Sequence, residues 1–289
     1  MNKKVFVTSV IILFIGLAFA PSINSQTARE QNFENGMRID FFERFPTEDN
    51  LRKTELINFP STIYIAADSL DQFKKFENTL FEINPEVDTG YWPILEKSNW
   101  VSPFSYTYEL ENLIDDLQKN QQNKTLKVIL DLELPLLNMK LFIINLFSFF
   151  KNKRLIEQLF EKADEFNIEI LTAEWIRSDK LLELLGISYP LEKYPHKKIA
   201  MFYSSIYSFN FIYETAKIRV IHKLDKYGEN LQVALGLIAR GLAGTIPVIP
   251  PETLDRDLSF LEDNGIKTAV IFRLGGLNES YLNVIKKYL

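Results

Sequence analysis

Asp131 and Glu133 lie two residues apart at the end of an apolar strand that the sequence predicts. Residues 126–135 read LKVILDLELP, an apolar run that ends in two acids before a proline. Because side chains alternate across a strand, both carboxyl groups are expected on the same face. Burying two acids is costly unless they bind or react with something. The spacing therefore predicts a site that binds polar groups or transfers protons.

The elements around this strand predict an α/β barrel. From residue 37 onward, β-branched or aromatic runs alternate with amphipathic stretches, which is typical of a parallel sheet with helical crossovers. Eight such units over about 250 residues predict a single (β/α)₈ TIM-type barrel domain over residues 37–289. An open doubly wound sheet is the alternative, but the G-x-G-x-x-G that such a fold carries after its first strand is missing. The predicted strands cover residues 37–45, 61–67, 87–95, 127–134, 168–176, 198–204, 231–239 and 268–274.

In barrels of this type, the functional site lies at the carboxyl ends of the strands. The residues predicted there are acids, arginines and aromatics. Such a set suits a carbohydrate, because aromatic faces cover the C–H faces of a sugar ring and charged groups bond its hydroxyls. We therefore predict a carbohydrate ligand. The predicted substrate-binding residues are Glu174, Trp175, Tyr91, Trp92, Arg240, Arg273 and Asp68.

Two short motifs resemble those of family-18 glycoside hydrolases, the chitinase-like enzymes. Residues 131–135, DLELP, are similar to the latter half of that family's D-x-x-D-x-D-x-E signature on the fourth strand, and residues 201–203, MFY, resemble its Met-x-Tyr on the sixth. The resemblance implies that Glu133 is the general acid, that Asp131 orients an acetamido group, and that Tyr203 bonds the reacting centre. It also implies a substrate-assisted mechanism, in which the acetamido oxygen is the nucleophile.

Three positions depart from that family's pattern. Leu126 and Ile129 stand where the signature has its earlier acids, and Ser204 stands where the family commonly has Asp or Asn. Two alternatives therefore stay open beside a chitinase-like hydrolase. One is a divergent TIM-barrel glycosidase, and the other is a catalytically inactive barrel that binds a glycan or a cell-envelope partner.

A conventional two-carboxylate mechanism is a further possibility. Glu133 and Glu174 are predicted at the ends of neighbouring strands, where one would act as acid and the other as nucleophile or base. The competing interpretation, which we favour, places Glu174 in a structural ion pair with Arg177 or Arg240.

Composition argues against several other functions. The chain has no cysteine, and its two histidines, His196 and His222, share no metal-ligand spacing, so we expect no metal and no cofactor. The net charge of −5, without a basic block, gives no reason to expect a nucleic-acid partner.

The first 20 residues have the pattern of an export signal. Lys3 and Lys4 precede an apolar run that ends in Ala18-Phe-Ala20. This pattern predicts a signal peptide or a retained membrane anchor over residues 1–20, followed by a polar linker over residues 21–36. The protein is accordingly expected to be exported, and either secreted or associated with the outer face of a membrane through this segment.

Residues 136–150 are unusually apolar, with few polar interruptions. The interpretation that we favour is a barrel helix buried against the sheet. The alternative is an exposed apolar flap over the site that contacts lipid or a long apolar ligand.

Overall fold

The strands of this computed structural model pair in sequence order, and the last pairs with the first, so the sheet closes into a barrel. A closed sheet has no edge strands, which excludes the open doubly wound alternative. The structure describes residues 36–120, 124–135, 138–207, 209–241 and 246–289; the predicted signal segment 1–20 lies outside them, as do linker residues 21–35. The strands of the described chain, all parallel, are β1 (Arg38–Glu43), β2 (Thr62–Ala67), β3 (Asp88–Pro93), β4 (Leu126–Asp131), β5 (Ile168–Trp175), β6 (Lys197–Phe202), β7 (Leu231–Gly236) and β8 (Thr268–Phe272).

Helices follow each strand and cover the outside of the barrel. The second helix shows how the sequence specifies them: the Ser69 side chain accepts a hydrogen bond from the Gln72 backbone N–H at its start, and Leu70, Phe73 and Leu80 form its buried face. The helices are α1 (Glu48–Leu51), α2 (Leu70–Ile83), α3 (Thr107–Gln118), α4 (Met139–Asn145), α5 (Phe149–Glu161), α6 (Asp179–Leu184), α7 (Asn210–Tyr227), α8 (Pro251–Asp263) and α9 (Glu279–Ile285). Short 3₁₀ turns cover Arg52–Leu56, Leu146–Ser148, Ser204–Ile206, Gly228–Asn230 and Leu274–Gly276.

Alternate residues of each strand enter two different apolar clusters. The inner cluster fills the barrel and includes Phe42, Tyr64, Trp92, Ile129, Ala173, Met201, Ala234 and Val270. Their chain neighbours, such as Phe41, Tyr91 and Phe202, belong to the larger cluster between the sheet and the helices. This alternation decides which side chains at the strand ends face the mouth of the barrel and which face the helices.

The predicted barrel is confirmed, and each predicted strand overlaps an observed one. Seven of the eight predicted strands run too far at their carboxyl ends, and only the second ends where the observed strand does. The fourth ends at Asp131, not at residue 134, because the Glu133 N–H bonds the Asp131 carbonyl oxygen and the chain turns out of the sheet. Glu133 therefore lies on the loop after β4, where alternation along a strand no longer fixes its direction.

The interpretation of residues 136–150 as a buried barrel helix is wrong for the residues that the structure describes there. Helix α4 and the turn after it bury only part of their apolar surface, and Phe147 is 97% exposed. The apolar pattern covers more than one face of the segment, and a helix that packs on one side cannot bury both.

Candidate active site

Asp131, Glu133 and Tyr203 lie where β4 and β6 end, at the mouth of the barrel. Their charges act on one another: the Asp131 charge raises the pKa of Glu133, and both acids raise the pKa of the Tyr203 phenol. The structure thus brings together the three residues that the sequence predicts as catalytic.

Asp131 is the buried member of the pair, with a residue exposure of 5%. Burial raises its pKa to about 7, while the Arg44 guanidinium and the nearby Trp92 indole N–H act in the opposite direction. Within the described structure, the Asp131 Oδ1 and Trp92 Nε1 atoms are buried and make no hydrogen bond of normal geometry.

Glu133 is half-buried on the loop that follows β4. Burial raises the pKa of its carboxyl group well above the ordinary value, and the Asp131 charge raises it further. Glu133 accordingly keeps its proton to a higher pH than an exposed glutamate does. A protonated carboxyl group at the mouth of a barrel can donate that proton to a bound ligand.

Arg44 is a member of the site that our predicted set of site residues omits. Its guanidinium carbon lies 5.9 Å from the centre of the Trp92 ring. Burial lowers the pKa of Arg44, and the nearby charges of Asp131 and Asp68 partly oppose this decrease. Its position two residues after the inward-facing Phe42 is the signal that could have added it to that set, because alternation aims it toward the mouth. Asp68, a predicted binding residue, lies exposed beside this cation.

Aromatic rings surround the acids. The Phe272 ring centre lies 6.3 Å from that of Trp92 and 5.9 Å from that of Tyr203, and Trp175 packs against the same inner cluster. The predicted residues Trp92 and Trp175 therefore lie on the inner side of the barrel, as a carbohydrate site requires.

Glu174 and Tyr91 are corrections to the predicted site. Both face the helices: the Tyr91 ring lies 5.3 Å from that of Phe73, and Glu174 accepts a hydrogen bond of 2.7 Å from the Lys198 ammonium group. Both side chains of this ion pair are only 2% exposed. Glu174 thus pairs neither with Arg177 nor with Arg240, and it is not available as a catalytic partner of Glu133. The reason is alternation, which turns Ala173 inward and Glu174 outward.

Arg273 is a third correction. Its guanidinium lies 2.9 Å from a Glu43 carboxylate oxygen and also bonds the Arg240 carbonyl oxygen. Glu43 accepts a further bond from the Gly275 backbone N–H. This ion pair links the residue after β8 to β1, so the Arg273 charge is already compensated by Glu43. The Arg240 side chain is exposed on the loop after β7, where the structure places it against none of the three predicted catalytic residues.

Ser204 follows Tyr203 but belongs to a different hydrogen-bond network. Its hydroxyl donates to Asp257 at 2.5 Å, and the Tyr213 hydroxyl donates to the same carboxylate at 2.9 Å.

Two cavities lie away from the acids. One, of about 310 Å³, lies beside the Ser204 network, and Arg256 lines part of it. A second cavity, of about 260 Å³, lies at the opposite end of the barrel. Neither is lined by Asp131 or Glu133.

The described residues contain no cluster of three or more side chains able to hold a metal ion. Among the same residues, no helix has the length and apolar character needed to cross a bilayer.

No protein-family model and no curated protein matches this sequence. The fold, however, matches several solved structures. A class V chitinase from Pseudomonas fluorescens Pf-5 matches with a TM-score of 0.54 and 8% identity, over 86% of this chain and 98% of that one. A class V chitinase from Nicotiana tobaccum matches with a TM-score of 0.51 and 12% identity, over 88% and 99%. A D-allulose 3-epimerase from Methylomonas sp. matches with a TM-score of 0.49 and 14% identity, over 90% and 100%.

Similarity at this level of identity shows a shared fold. The predicted resemblance to chitinase-like TIM barrels is therefore confirmed for the architecture. Because one barrel fold hosts many unrelated reactions, the function of this chain has to be argued from its own residues.

Proposed function

We propose that this protein is a TIM-barrel glycoside hydrolase in which Glu133 is the general acid. The observation that supports this function is the position of the Glu133 carboxyl group at the barrel mouth, where burial and the neighbouring Asp131 raise its pKa. A carboxylic acid with a raised pKa can protonate the oxygen of a glycosidic bond. The aromatic rings around it supply the apolar faces that a sugar needs.

The proposed roles of Asp131 and Tyr203 follow from their protonation states. With a pKa of about 7, Asp131 can be ionised at neutral pH, and as a carboxylate it accepts a hydrogen bond from an acetamido N–H. The Tyr203 pKa is raised well above its ordinary value, so this phenol stays neutral and donates to the same group.

A substrate with N-acetylated sugars fits this site better than one without. A two-carboxylate mechanism needs a second acid across the bond, and Glu174, the predicted candidate, is held by Lys198 outside the barrel. If the substrate's own acetamido oxygen is the nucleophile, no enzyme carboxylate is needed for that role. The class V chitinases with the same fold support this choice.

The decisive experiment is the substitution Glu133→Gln, tested on chromogenic and natural N-acetylated glycans. Glutamine has nearly the same shape but no proton to donate, so we expect kcat to fall by about 10²–10⁴-fold. The control is Glu86→Gln, on an exposed turn before β3, which should keep full activity. Circular dichroism and thermal melting establish that both variants are folded. Unchanged hydrolysis by Glu133→Gln would show that Glu133 is not the acid.

The second candidate function is a barrel that binds glycans without cutting them. It is favoured by Leu126 and Ile129 at the positions of the family's earlier acids, and by the buried Asp131 Oδ1 without a hydrogen-bond partner in the described structure. Calorimetric titration separates the two. Binding of an N-acetylated glycan with no hydrolysis by the native protein, and weaker binding by Trp92→Ala, would support the inactive barrel.

We also propose that the protein is exported through residues 1–20, which carry a positive start and an apolar run. The N-terminal sequence of the protein recovered from its native cells tests this. A start between residues 21 and 26 indicates a cleaved signal peptide, and an intact start in the membrane fraction indicates an anchor. An intact start in the soluble cell fraction would contradict export.

A further inference from the structure

An exposed apolar ridge follows the acids of β4. The ridge consists of Ile143, Ile144, Leu146, Phe147 and Phe150, which are between 53% and 97% exposed. Four of these residues, 143, 146, 147 and 150, have the spacing that places side chains on one face of a helix. Contiguous apolar patches on a soluble domain mark surfaces that bind something.

The ridge is held in place by the opposite face of the same segment. The rings of Phe142 and Phe149 pack on Phe104, and their centres lie 4.3 and 5.3 Å from the centre of its ring. Leu141, beside them in the chain, is buried. The segment therefore has a packed side and an outward apolar side. The outward side is a defined surface of the folded protein.

Basic residues flank the ridge on both sides. Residues 138–154 contain Lys140, Lys151, Lys153 and Arg154 and no acid, in a chain whose net charge is −5. The Lys140 side chain is exposed, and the Lys153 ammonium group donates to a backbone carbonyl oxygen, that of Glu183. In the sequence, these positive charges border the apolar surface on both sides.

Two of the four cations have acidic partners. The Lys151 ammonium group lies 2.9 Å from Glu111, and the Arg154 guanidinium lies 2.7 Å from Glu161. The Lys151 contact is a single exposed pair, so it is weak and exchanges readily with other anions. Arg154 makes two parallel bonds to Glu161 and lies 3.4 Å from Glu157, so its charge is compensated. Lys140 and Lys151 therefore leave the ends of the ridge able to attract negative charge.

We propose that this ridge inserts into the surface of a lipid bilayer that contains anionic headgroups. Apolar side chains bordered by lysines match the acyl boundary and the headgroup layer of such a surface. Lysines at the border extend their charged ends into the headgroups.

A bilayer fits the ridge better than a protein partner. Protein interfaces make about one hydrogen bond per 100–200 Å², so they need donors and acceptors among the apolar residues. The Asn145 side chain within the ridge segment is buried and bonds the Leu141 carbonyl oxygen instead. Ser148 is half-buried. Lipid tails require no hydrogen bonds, and the ridge offers few.

Membrane docking would fix the orientation of the barrel relative to the bilayer. The ridge belongs to the connection between β4 and α5, which begins at the end of the barrel that carries Asp131 and Glu133. The docked face would therefore be the mouth face, and a ligand bound there would be part of the membrane or attached near it. The docking surface itself does not depend on the proposed hydrolysis.

The full chain allows a direct test because it contains no cysteine. Phe147→Cys and Phe81→Cys each introduce one labelling site for a polarity-sensitive nitrobenzoxadiazole probe. Phe81 is the matched control, since it is a 66% exposed phenylalanine near the carboxyl end of α2, at the opposite end of the barrel. Each labelled chain is mixed with phosphatidylcholine vesicles with and without phosphatidylglycerol.

We expect the probe at 147 to shift its emission to the blue with the anionic vesicles, and the probe at 81 to stay unchanged. The comparison separates the ridge from the N-terminal segment, because binding through residues 1–20 alone would tether the chain without burying position 147. No shift at 147, or equal shifts at both positions, would overturn the proposal. A shift at 147 that grows with protein concentration before vesicles are added would identify a second copy as the occupant and would also overturn it.

Discussion

At the residue scale, the proposed chemistry depends on two neighbouring acids with different surroundings. Asp131 lies deep at the end of β4 beside Arg44, and Glu133 lies on the loop with no cation among the groups that shift its pKa. Burial raises the pKa of both acids. The Arg44 guanidinium opposes this rise for Asp131, whereas no cation opposes it for Glu133. Unequal environments of this kind assign proton donor and charged acceptor roles within a carboxyl pair.

The pH dependence of any hydrolysis tests this assignment. Activity should be lost as the pH rises through the raised pKa of Glu133, because the acid form is the active one. Asp131→Asn removes the charge that raises this pKa, so the alkaline limb of the kcat profile should move to lower pH. The measurement is kcat against pH for both proteins. An alkaline limb that stays in place would mean that Glu133 does not control it.

The stability of the fold should depend on pH through Asp131. Its pKa is 3.8 in an exposed setting and about 7 in the folded protein, so the folded state binds more protons between these values. The free energy of unfolding therefore falls as the pH rises through this range, on the order of 4 kcal/mol at most, and is constant above it. Urea unfolding of Asp131→Asn should show a smaller decrease, to which Glu133, Asp40 and Glu43 still contribute because their pKa values are also raised. The exposed Asp225→Asn is the control and should retain the full decrease.

At the scale of elements, buried ion pairs hold neighbouring strands together behind the barrel. Lys198 on β6 bonds both Glu174 on β5 and the Ser188 hydroxyl, and Glu43 on β1 pairs with Arg273 after β8. These groups occupy positions at which a sequence pattern predicts binding residues. Their role is to satisfy charges between sheet and helices, where unpaired ions are costly.

Lys198→Met should destabilise the protein without affecting the site. The substitution leaves the Glu174 carboxylate buried and unpaired, which costs about 3–5 kcal/mol. The double variant Glu174→Gln with Lys198→Met should regain part of that loss, because no buried charge remains. Chemical unfolding measures both effects. A single variant as stable as the native protein would show that the ion pair contributes nothing net.

The turn after α6 depends on glycine. Gly186 has a φ of +65°, and an added Cβ would lie 2.6 Å from the Pro103 side chain. Gly186→Ala should therefore lower the free energy of unfolding by about 1–3 kcal/mol through strain and collision. Gly228→Ala is a useful comparison, since it shares a positive φ of +55° but meets no atom within 4 Å. Thermal melting should show the larger loss for Gly186.

At the scale of the whole molecule, the two ends of the barrel differ in character. The end that receives the amino termini of the strands carries Arg38, Asp40, Lys127 and Glu169, which bond one another and their neighbours around a small polar cavity. The other end carries the acids, the aromatic rings and the connection with the ridge. This asymmetry is expected of a barrel, in which one end stabilises the fold and the other varies with function.

The ridge should also govern how the molecule binds membranes. Phe147→Ser combined with Phe150→Ser should weaken binding to vesicles that contain phosphatidylglycerol, because it removes two of the most exposed apolar side chains. Co-sedimentation with the vesicles measures the change, with Phe81→Ser as the control on α2. The melting temperature should stay unchanged, since neither phenylalanine is buried. A large decrease in melting temperature would show that the ridge packs within the fold.

The sequence by itself determined the architecture. Strand and helix periods are local properties, so the eight βα units and the approximate position of each strand were readable without the fold. The acids at the end of β4 and the tyrosine at the end of β6 were found the same way, since both follow short apolar strands.

The tertiary structure decided which strand-end residues share a site. Three predicted residues are direct chain neighbours of residues that face the lumen: Glu174 follows Ala173, Tyr91 precedes Trp92, and Arg273 follows Phe272. A shift of one position turns a side chain from the lumen to the helices. The strand boundaries also depend on the closed sheet, because the ladder stops where neighbouring strands diverge. The partner of Glu174 was likewise invisible in the sequence: Lys198 is 24 residues away, and only the parallel pairing of β5 with β6 brings the two together.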